Sequence, residues 1–210
     1  MTTQVLCSDI AVMVKAPIAG FAKTRLVGML GAAGAARLHR RLVIQTVAFA
    51  KAANLGRVTV WCAPDTTHRF FCALGSRLRV QRQPQPEGDL GERMLAAFEH
   101  QPDGVALLII GGDCPSLKPA HLRTAAAALH AGADVTMLPA EDGGYVLIGL
   151  CRPFSELFHD ISWGTDRVVA QTRERCQALG LRLHEGDRLW DVDRPEDLPR
   201  LARIDASIRR

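Results

Sequence analysis

The sequence predicts an α/β chain with a largely parallel sheet, on three observations. Short apolar runs alternate along the 210 residues with longer segments of helical period. The run Val105–Ile110 is aliphatic throughout, as in a central parallel strand covered on both faces. The chain leaving two such runs carries basic or acidic residues beside glycine, and open α/β sheets bind ligands beyond the carboxyl ends of their strands.

Taken in order, Ile10–Lys15 is the first strand, and it runs into the basic loop Lys15–Leu26. Gly34–Ala53 reads as a helix, with Leu38, Leu42 and Phe49 at near-helical spacing and Gly56 as its stop. Val58–Ala63 is the second strand. Pro64-Asp65-Thr66 forms a turn with a candidate N-cap before a short helix over Arg69–Leu74, and Leu78–Gln83 is the third strand. After the polar loop Gln83–Gly88, Asp89 caps a helix to about His100, with Glu92 at the capping-box position.

Val105–Ile110 ends in Gly111-Gly112-Asp113-Cys114-Pro115, and a helix follows over Pro119–Ala131. Asp134–Leu138 and Tyr145–Leu150 are strands close enough through Asp142-Gly143-Gly144 to be antiparallel. Ile161–Thr165 precedes a helix with Val169, Thr172, Cys176 and Leu179 on one face, ended by Gly180. Leu181–His184 and Trp190–Val192 are short strand candidates, Pro195–Arg203 is the last helix, and residues 206–210 are expected to fray.

Bulk properties narrow the class. The length fits a single domain over residues 1–210, with enough chain for a core that needs no metal or disulfide staple. The net charge of +4 is scattered rather than clustered, and basic runs with interleaved aromatics are absent, which argues against a nucleic-acid partner. Six dispersed cysteines without a Cys-x-x-Cys pair read as reduced thiols of a cytoplasmic protein. No signal-peptide pattern and no apolar stretch of about 20 residues is present, so no membrane partner is expected.

The basic loop brings Lys15, Pro17, Gly20, Lys23, Thr24 and Arg25 together, and such a loop suits phosphates. Glycine lets backbone approach a ligand, main-chain N–H groups form an anion-binding concavity, and Lys or Arg supply charge-assisted hydrogen bonds. It lacks P-loop and dinucleotide-fingerprint spacing, so Walker-type ATPase and hydride-transfer chemistry lose support. Asp113 reads as a Mg²⁺ ligand (Mn²⁺ being the alternative) or as a turn residue before the next helix. Asp191 and Asp193 fall on one side of an extended segment and could complete a metal site, although Asp193 with Glu196 is also a capping-box pattern. Asp142-Gly143-Gly144-Tyr145 is either a hairpin turn or a substrate-facing loop, and Trp163 and Thr165 are read first as cap and staple of the next helix. No zinc-binding histidine spacing and no Gly-x-Ser-x-Gly elbow occurs.

Five motifs in this order resemble the bacterial transferases known as selenodomain-associated or arsenosugar-biosynthesis-type glycosyltransferases. They are Lys15-x-Pro17-x-x-Gly20-x-x-Lys23-Thr24-Arg25-Leu26, Gly88-Asp89-Leu90-Gly91-Glu92-Arg93-Met94, Gly112-Asp113-Cys114-Pro115-x-Leu117, Asp142-Gly143-Gly144-Tyr145-x-Leu147-x-Gly149 and Trp163-x-Thr165. The Lys-Thr-Arg-Leu segment is also similar to the Lys-Ser-Arg-Leu of 2-phospholactate guanylyltransferases.

The resemblance implies a GT-A, nucleotide-diphospho-sugar transferase-like fold: a three-layer α/β/α sandwich with a mostly parallel, Rossmann-like sheet. It implies Lys15, Lys23 and Arg25 on donor phosphates, metal at Asp113, and Asp142 and Tyr145 facing the acceptor or sugar. Lys23, Arg25 and Asp142 are then the catalytic candidates. Lys15, Pro17, Gly20, Thr24, Asp89, Gly91, Arg93, Gly143, Gly144, Tyr145, Trp163 and Thr165 are the substrate-binding candidates. Asp113, Asp191 and Asp193 are the metal candidates. Gly164 stands where the family pattern leads one to expect serine, and Gly112-Asp113-Cys114 is half of an Asp-x-Asp motif.

The expected partners are a nucleotide or nucleotide-sugar donor and a small acceptor. Glycosyl transfer comes first; nucleotidyl transfer with release of pyrophosphate and a non-catalytic nucleotide-binding module are the alternatives.

Overall fold

The structure, a computed structural model, describes residues 8–208 and their side chains as far as Ile204. Seven strands form one sheet: β1 (Ser8–Lys15), β2 (Val58–Ala63), β3 (Gln81–Pro84), β4 (Ala106–Gly111), β5 (Val135–Pro139), β6 (Tyr145–Leu150) and β7 (Leu183–Glu185), in spatial order β3-β2-β1-β4-β6-β5-β7. Pairings are parallel except those of β6, which runs antiparallel to both β4 and β5. The helices are α1 (Val27–Ala53), α2 (Arg69–Leu78), α3 (Leu90–Glu99), α4 (Pro119–His130), α5 (Val168–Ala178) and α6 (Asp197–Ile208).

Side chains alternate across a strand, so a central strand must be apolar on both faces. In β1, Ile10, Val12 and Val14 pack with Val43 and Val47 of α1, Phe71 of α2 and Leu122 of α4. Ala11 faces the other way, with Leu107 and Ile109 of β4, toward Met94 and Phe98 of α3 and Cys176 of α5. The predicted α/β/α layering and mostly parallel sheet are therefore observed. A third cluster joins Leu26, Leu42, Trp190, Val192 and Leu201, and it ties the chain before α6 to the start of α1.

Several boundaries differ from expectation for local reasons. The first helix starts at Val27, seven residues before the predicted Gly34, and is broken at Gly31 (φ 67°, ψ 161°). Its stop is Asn54 in the left-handed conformation, not Gly56. Helix α2 extends to Leu78, so β3 begins only at Gln81; its N-cap is His68, because Asp65 instead accepts from Thr67 and the His68 N–H. Leu179 lies beyond α5 and is 40% exposed, outside the face expected to bury it. Helix α6 begins at Asp197 and continues through residues 206–208, where fraying was expected; residues 209–210 lie outside the described residues.

Trp190–Val192, expected as a short strand, lies outside the sheet, and the bridge beside it joins Ala140 to Leu189. The Val192 N–H donates to the Asp113 carbonyl at 3.0 Å. The extended chain is therefore fastened to the turn after β4.

Candidate active site

The loop after β1 and the turn after β4 meet at the carboxyl ends of the two central strands, beside a cavity of about 500 Å³. Lys15, Lys23, Thr24, Arg25, Asp113, Tyr145 and Asp193 line it among the residues marked from sequence. Its wall is completed by His39 and by apolar Phe21, Leu90, Met94 and Ile148.

Lys23 adopts left-handed backbone angles (φ 49°, ψ 50°), which cost a non-glycine residue about 1–2 kcal/mol. Its side chain is only 5% exposed, and Nζ donates to Asp113 Oδ2 at 2.7 Å, with Asp193 Oδ1 at 3.7 Å. Burial pulls the ammonium down, but Asp113, with Asp193 and Asp191 behind it, outweighs that and holds its pKa above the ordinary value. Arg25 is paired with the other oxygen of Asp193.

Gly112 permits this approach, since a Cβ there would stand 2.5 Å from Val14 Cγ1 and 3.0 Å from Val43 Cγ2. Only a residue without a side chain lets the β4 turn pass so close to β1 and α1.

The Val192–Asp113 hydrogen bond sets the remaining carboxylates. Val192 is fully buried, and of its neighbours Asp193 lines the cavity, while Asp191 is not among the lining residues but lies near enough to Asp113 and Asp142 to feel their charge. The capping reading of Asp193 is corrected: Asp197 Oδ2 accepts from the Asp193 and Arg194 N–H groups, leaving the Asp193 carboxylate to Lys23 and Arg25. Asp191 is pushed up to about 6 by burial and then by the Asp113 and Asp142 carboxylates, with Lys23 opposing. Among the described residues, no group of three or more His, Cys, Asp or Glu is arranged to hold a metal ion.

Other marked residues are placed elsewhere. Pro17 faces a second cavity, and Gly20 (φ 82°) has open space where a Cβ would sit. Asp89 and Glu92 form the predicted capping box, so the Asp89 carboxylate accepts from the Glu92 N–H at 2.9 Å and serves the helix. Arg93 Nε donates to the Gly88 carbonyl, folding back on its own loop. Gly91 lies under Trp163, whose indole atoms would be 2.7 Å from a Cβ there.

Trp163 packs on Gly91, Phe158 and Tyr145, against the core cluster that also holds Cys176 of α5. Thr165 keeps part of its expected role, donating to the Ser162 carbonyl at 2.7 Å and accepting from the Arg167 N–H at 3.3 Å just before α5. Asp142 Oδ1 accepts from the Gly144 N–H, as a turn residue does. Gly143 (φ 90°) passes so near Asp166 that a Cβ would meet its backbone at 2.3 Å. Tyr145 lines the cavity, where burial holds its phenol above the ordinary pKa and its hydroxyl donates toward Met94 Sδ at 3.8 Å.

Two residues escaped the sequence reading. His39 Nε2 donates to the Lys15 carbonyl at 2.9 Å, anchoring the exit of β1; burial lowers its pKa, and its Nδ1 has no hydrogen-bond partner among the described residues. Its signal was a polar residue inside the apolar stripe of α1, between Ala36 and Leu42. Gln85 Nε2 donates to the Val14 and Trp61 carbonyls, pinning the loop before α3 onto the sheet. No pattern marked it.

Compared with known proteins, this architecture matches a structure provisionally described as a nucleotide-diphospho-sugar transferase from Desulfovibrio desulfuricans G20, with TM-score 0.79 and 28% identity over 89% of this chain and 82% of that one. It also matches a nucleotidyl transfer enzyme, named as a nucleotidyl transferase, from Methanothermobacter thermautotroptrophicus, with TM-score 0.60 and 16% identity over 95% and 99% of the two chains, a likeness of fold alone. These likenesses place the chain among the transferases of the GT-A, nucleotidyltransferase and nucleotide-diphospho-sugar transferase superfamily. Residues 46–165 match the family described as "Uncharacterized protein conserved in bacteria (DUF2064)", and the chain belongs to that family. It is similar, at 29% identity over 187 residues, to the 3-phospho-D-glycerate guanylyltransferase of Phenylobacterium zucineum (strain HLK1), covering 87% of this chain and 84% of that one. No helix among the described residues is long and apolar enough to cross a membrane.

Proposed function

We propose that the protein is a nucleotidyltransferase that moves a guanylyl group from GTP to the phosphate of a small phosphorylated acid of the 3-phosphoglycerate type. The observation that carries this reading is the placement of Lys23 and Arg25 against Asp113 and Asp193, with Lys15 on the same cavity. An acceptor oxygen attacks the α-phosphorus, the bond between it and the α–β bridging oxygen breaks, and pyrophosphate leaves with the electron pair. Charge grows on that leaving group, and fixed cations beside it lower the barrier. Lys23, Arg25 and Lys15 take this role, while Thr24 supplies a hydroxyl to a phosphate oxygen.

The reading draws on the Lys23-Thr24-Arg25-Leu26 segment and on the guanylyltransferase relative, and both favour nucleotidyl transfer over the glycosyl transfer that the motif set put first. Glycosyl transfer, including the arsenosugar-type activity implied by the resemblance, is the second reading. It draws on the 28% identical structure described as a nucleotide-diphospho-sugar transferase.

Asp113 and Asp191 are the oxygen donors suited to a divalent cation. Mg²⁺ keeps several waters and takes other ligands from substrate phosphates, so one or two protein carboxylates suffice. Among the described residues no third His, Cys, Asp or Glu is grouped with them, so the remaining ligands would come from water and substrate phosphates. Bound there, such an ion supplies charge stabilisation to the phosphates. Asp193, held by Lys23 and Arg25, positions those cations. Asp142, whose charge reaches Asp191, is the residue assigned to the acceptor side, with Gly143 and Gly144 holding its turn and Trp163 backing Tyr145 in the cavity wall.

A thermal-shift panel of nucleoside triphosphates and nucleotide sugars with Mg²⁺ tests this proposal. GTP should raise the melting temperature of the wild type and not of Lys23→Ala. A panel in which no nucleotide shifts the wild type would overturn it.

A further inference from the structure

We infer that the cavity on the far side of the basic loop is a second oxyanion site, built for pyrophosphate or a small phosphorylated acid. This cavity, of about 680 Å³, lies between Pro17–Ala19, the first half of α1 and the start of α2. Arg37 and Arg40, one helical turn apart on α1, face it from one side, and His68 and Arg69 from the other, while Ile18 and Phe70 give it an apolar floor.

Among the described residues no carboxylate lines the cavity. Asp65, the acidic residue nearest in sequence, turns its Oδ1 onto Thr67 and the His68 N–H. Arg57, Arg173, Arg182 and Arg200 each pair with a carboxylate, whereas Arg37, Arg40 and Arg69 make no ion pair or side-chain hydrogen bond among the described residues.

Like charges at this helical spacing repel one another, and an anion bound between them offsets that repulsion by attracting both. Helix α2 begins beside the cavity, but its N-terminus is already capped, the Phe70 N–H donating to His68 Nδ1 and the His68 N–H to Asp65, so the arginine side chains carry the positive charge. Arg37, Arg40 and Arg69 are exposed on two walls of an open cleft, a spread that suits two linked phosphates, while the apolar residues beside them suit an anion with an organic part.

Pro17–Ala19 is the wall of this cavity, and the same loop continues through Phe21 to Lys23 in the wall of the first. An anion bound behind the loop braces it. Binding itself does not depend on the nucleotidyl reading, and its test involves no turnover.

The test is isothermal titration of the full chain in metal-free buffer, with sodium pyrophosphate and 3-phosphoglycerate in separate arms. Arg37→Ala/Arg40→Ala should weaken at least one anion about tenfold or more, the equivalent of one lost charge-assisted bond. Lys23→Ala/Arg25→Ala should retain that binding. The arm that shows this pattern identifies the ligand. Arg69→Ala, on the opposite wall, should weaken the same anion and decides the matter should the double variant not fold. Wild-type affinity for both anions in the arginine variants would overturn the inference. Loss of all binding in Lys23→Ala/Arg25→Ala, or no binding to wild type, would do the same.

Discussion

Lys23 Nζ lies 2.7 Å from Asp113 Oδ2, joining the loop after β1 to the turn after β4 across 90 positions of sequence. The contact places a buried cation among carboxylates at the junction of the two central strands, where the phosphates of a nucleotide would enter. Removing one partner of a buried pair leaves an uncompensated charge, and the cost is moderated here because Asp113 is 34% exposed. Lys23→Ala should lose about 1–3 kcal/mol of unfolding free energy. Urea denaturation measures it, and a change below the error of that measurement would show the pair to be incidental.

Asp191 supplies a pH signature. Its folded pKa of about 6 lies above the ordinary 3.8, so ionising it opposes folding. The unfolded state releases this proton first as pH rises. The penalty is absent below about 4, grows between about 4 and 6, and is complete above about 6. Asp191→Asn should therefore raise the melting temperature in metal-free buffer above pH 6 and do so progressively less toward pH 4. A gain independent of pH would contradict the assigned cause.

Asp89 is assigned to the cap of α3 by its contact with the Glu92 N–H. Asp89→Ala should cost about 1 kcal/mol, as loss of an N-cap does, and Asp89→Ser should recover most of it. Nucleotide-dependent thermal stabilisation should persist in both variants; its loss in the stable serine variant would return Asp89 to the substrate.

Gly143 combines a left-handed φ of 90° with backbone of Asp166 at 2.3 Å from any added Cβ. Gly143→Ala should cost about 1–3 kcal/mol, because rigid backbone and not a side-chain tip must yield. Thermal denaturation of this variant beside Gly164→Ala, where open space surrounds the same atom, separates crowding from φ strain alone.

Much of this arrangement was legible because it is local. The β4 run, the Asp89–Glu92 capping box and the Tyr145–Leu150 strand each depend on periodicity or on partners a few residues apart. Lys23, Arg25 and Asp113 were marked by residue type and by position after strands. Trp190–Val192 was misjudged because its hydrogen-bonding partner is Asp113, a contact no local pattern reports. His39 and Gln85 were missed for the same reason: each acts on the carbonyl of a residue on another element. The roles of Gly91 and Trp163 emerge only when the two are seen in contact.

The central claim is the bond that breaks. Purified protein incubated with GTP, Mg²⁺ and 3-phosphoglycerate, followed by phosphorus NMR and a pyrophosphate assay, reads it directly. Nucleotidyl transfer predicts pyrophosphate in step with a new guanosine diphosphate diester of the acceptor, abolished in Lys23→Ala. GTP left intact, with neither pyrophosphate nor a new diester formed, would contradict it.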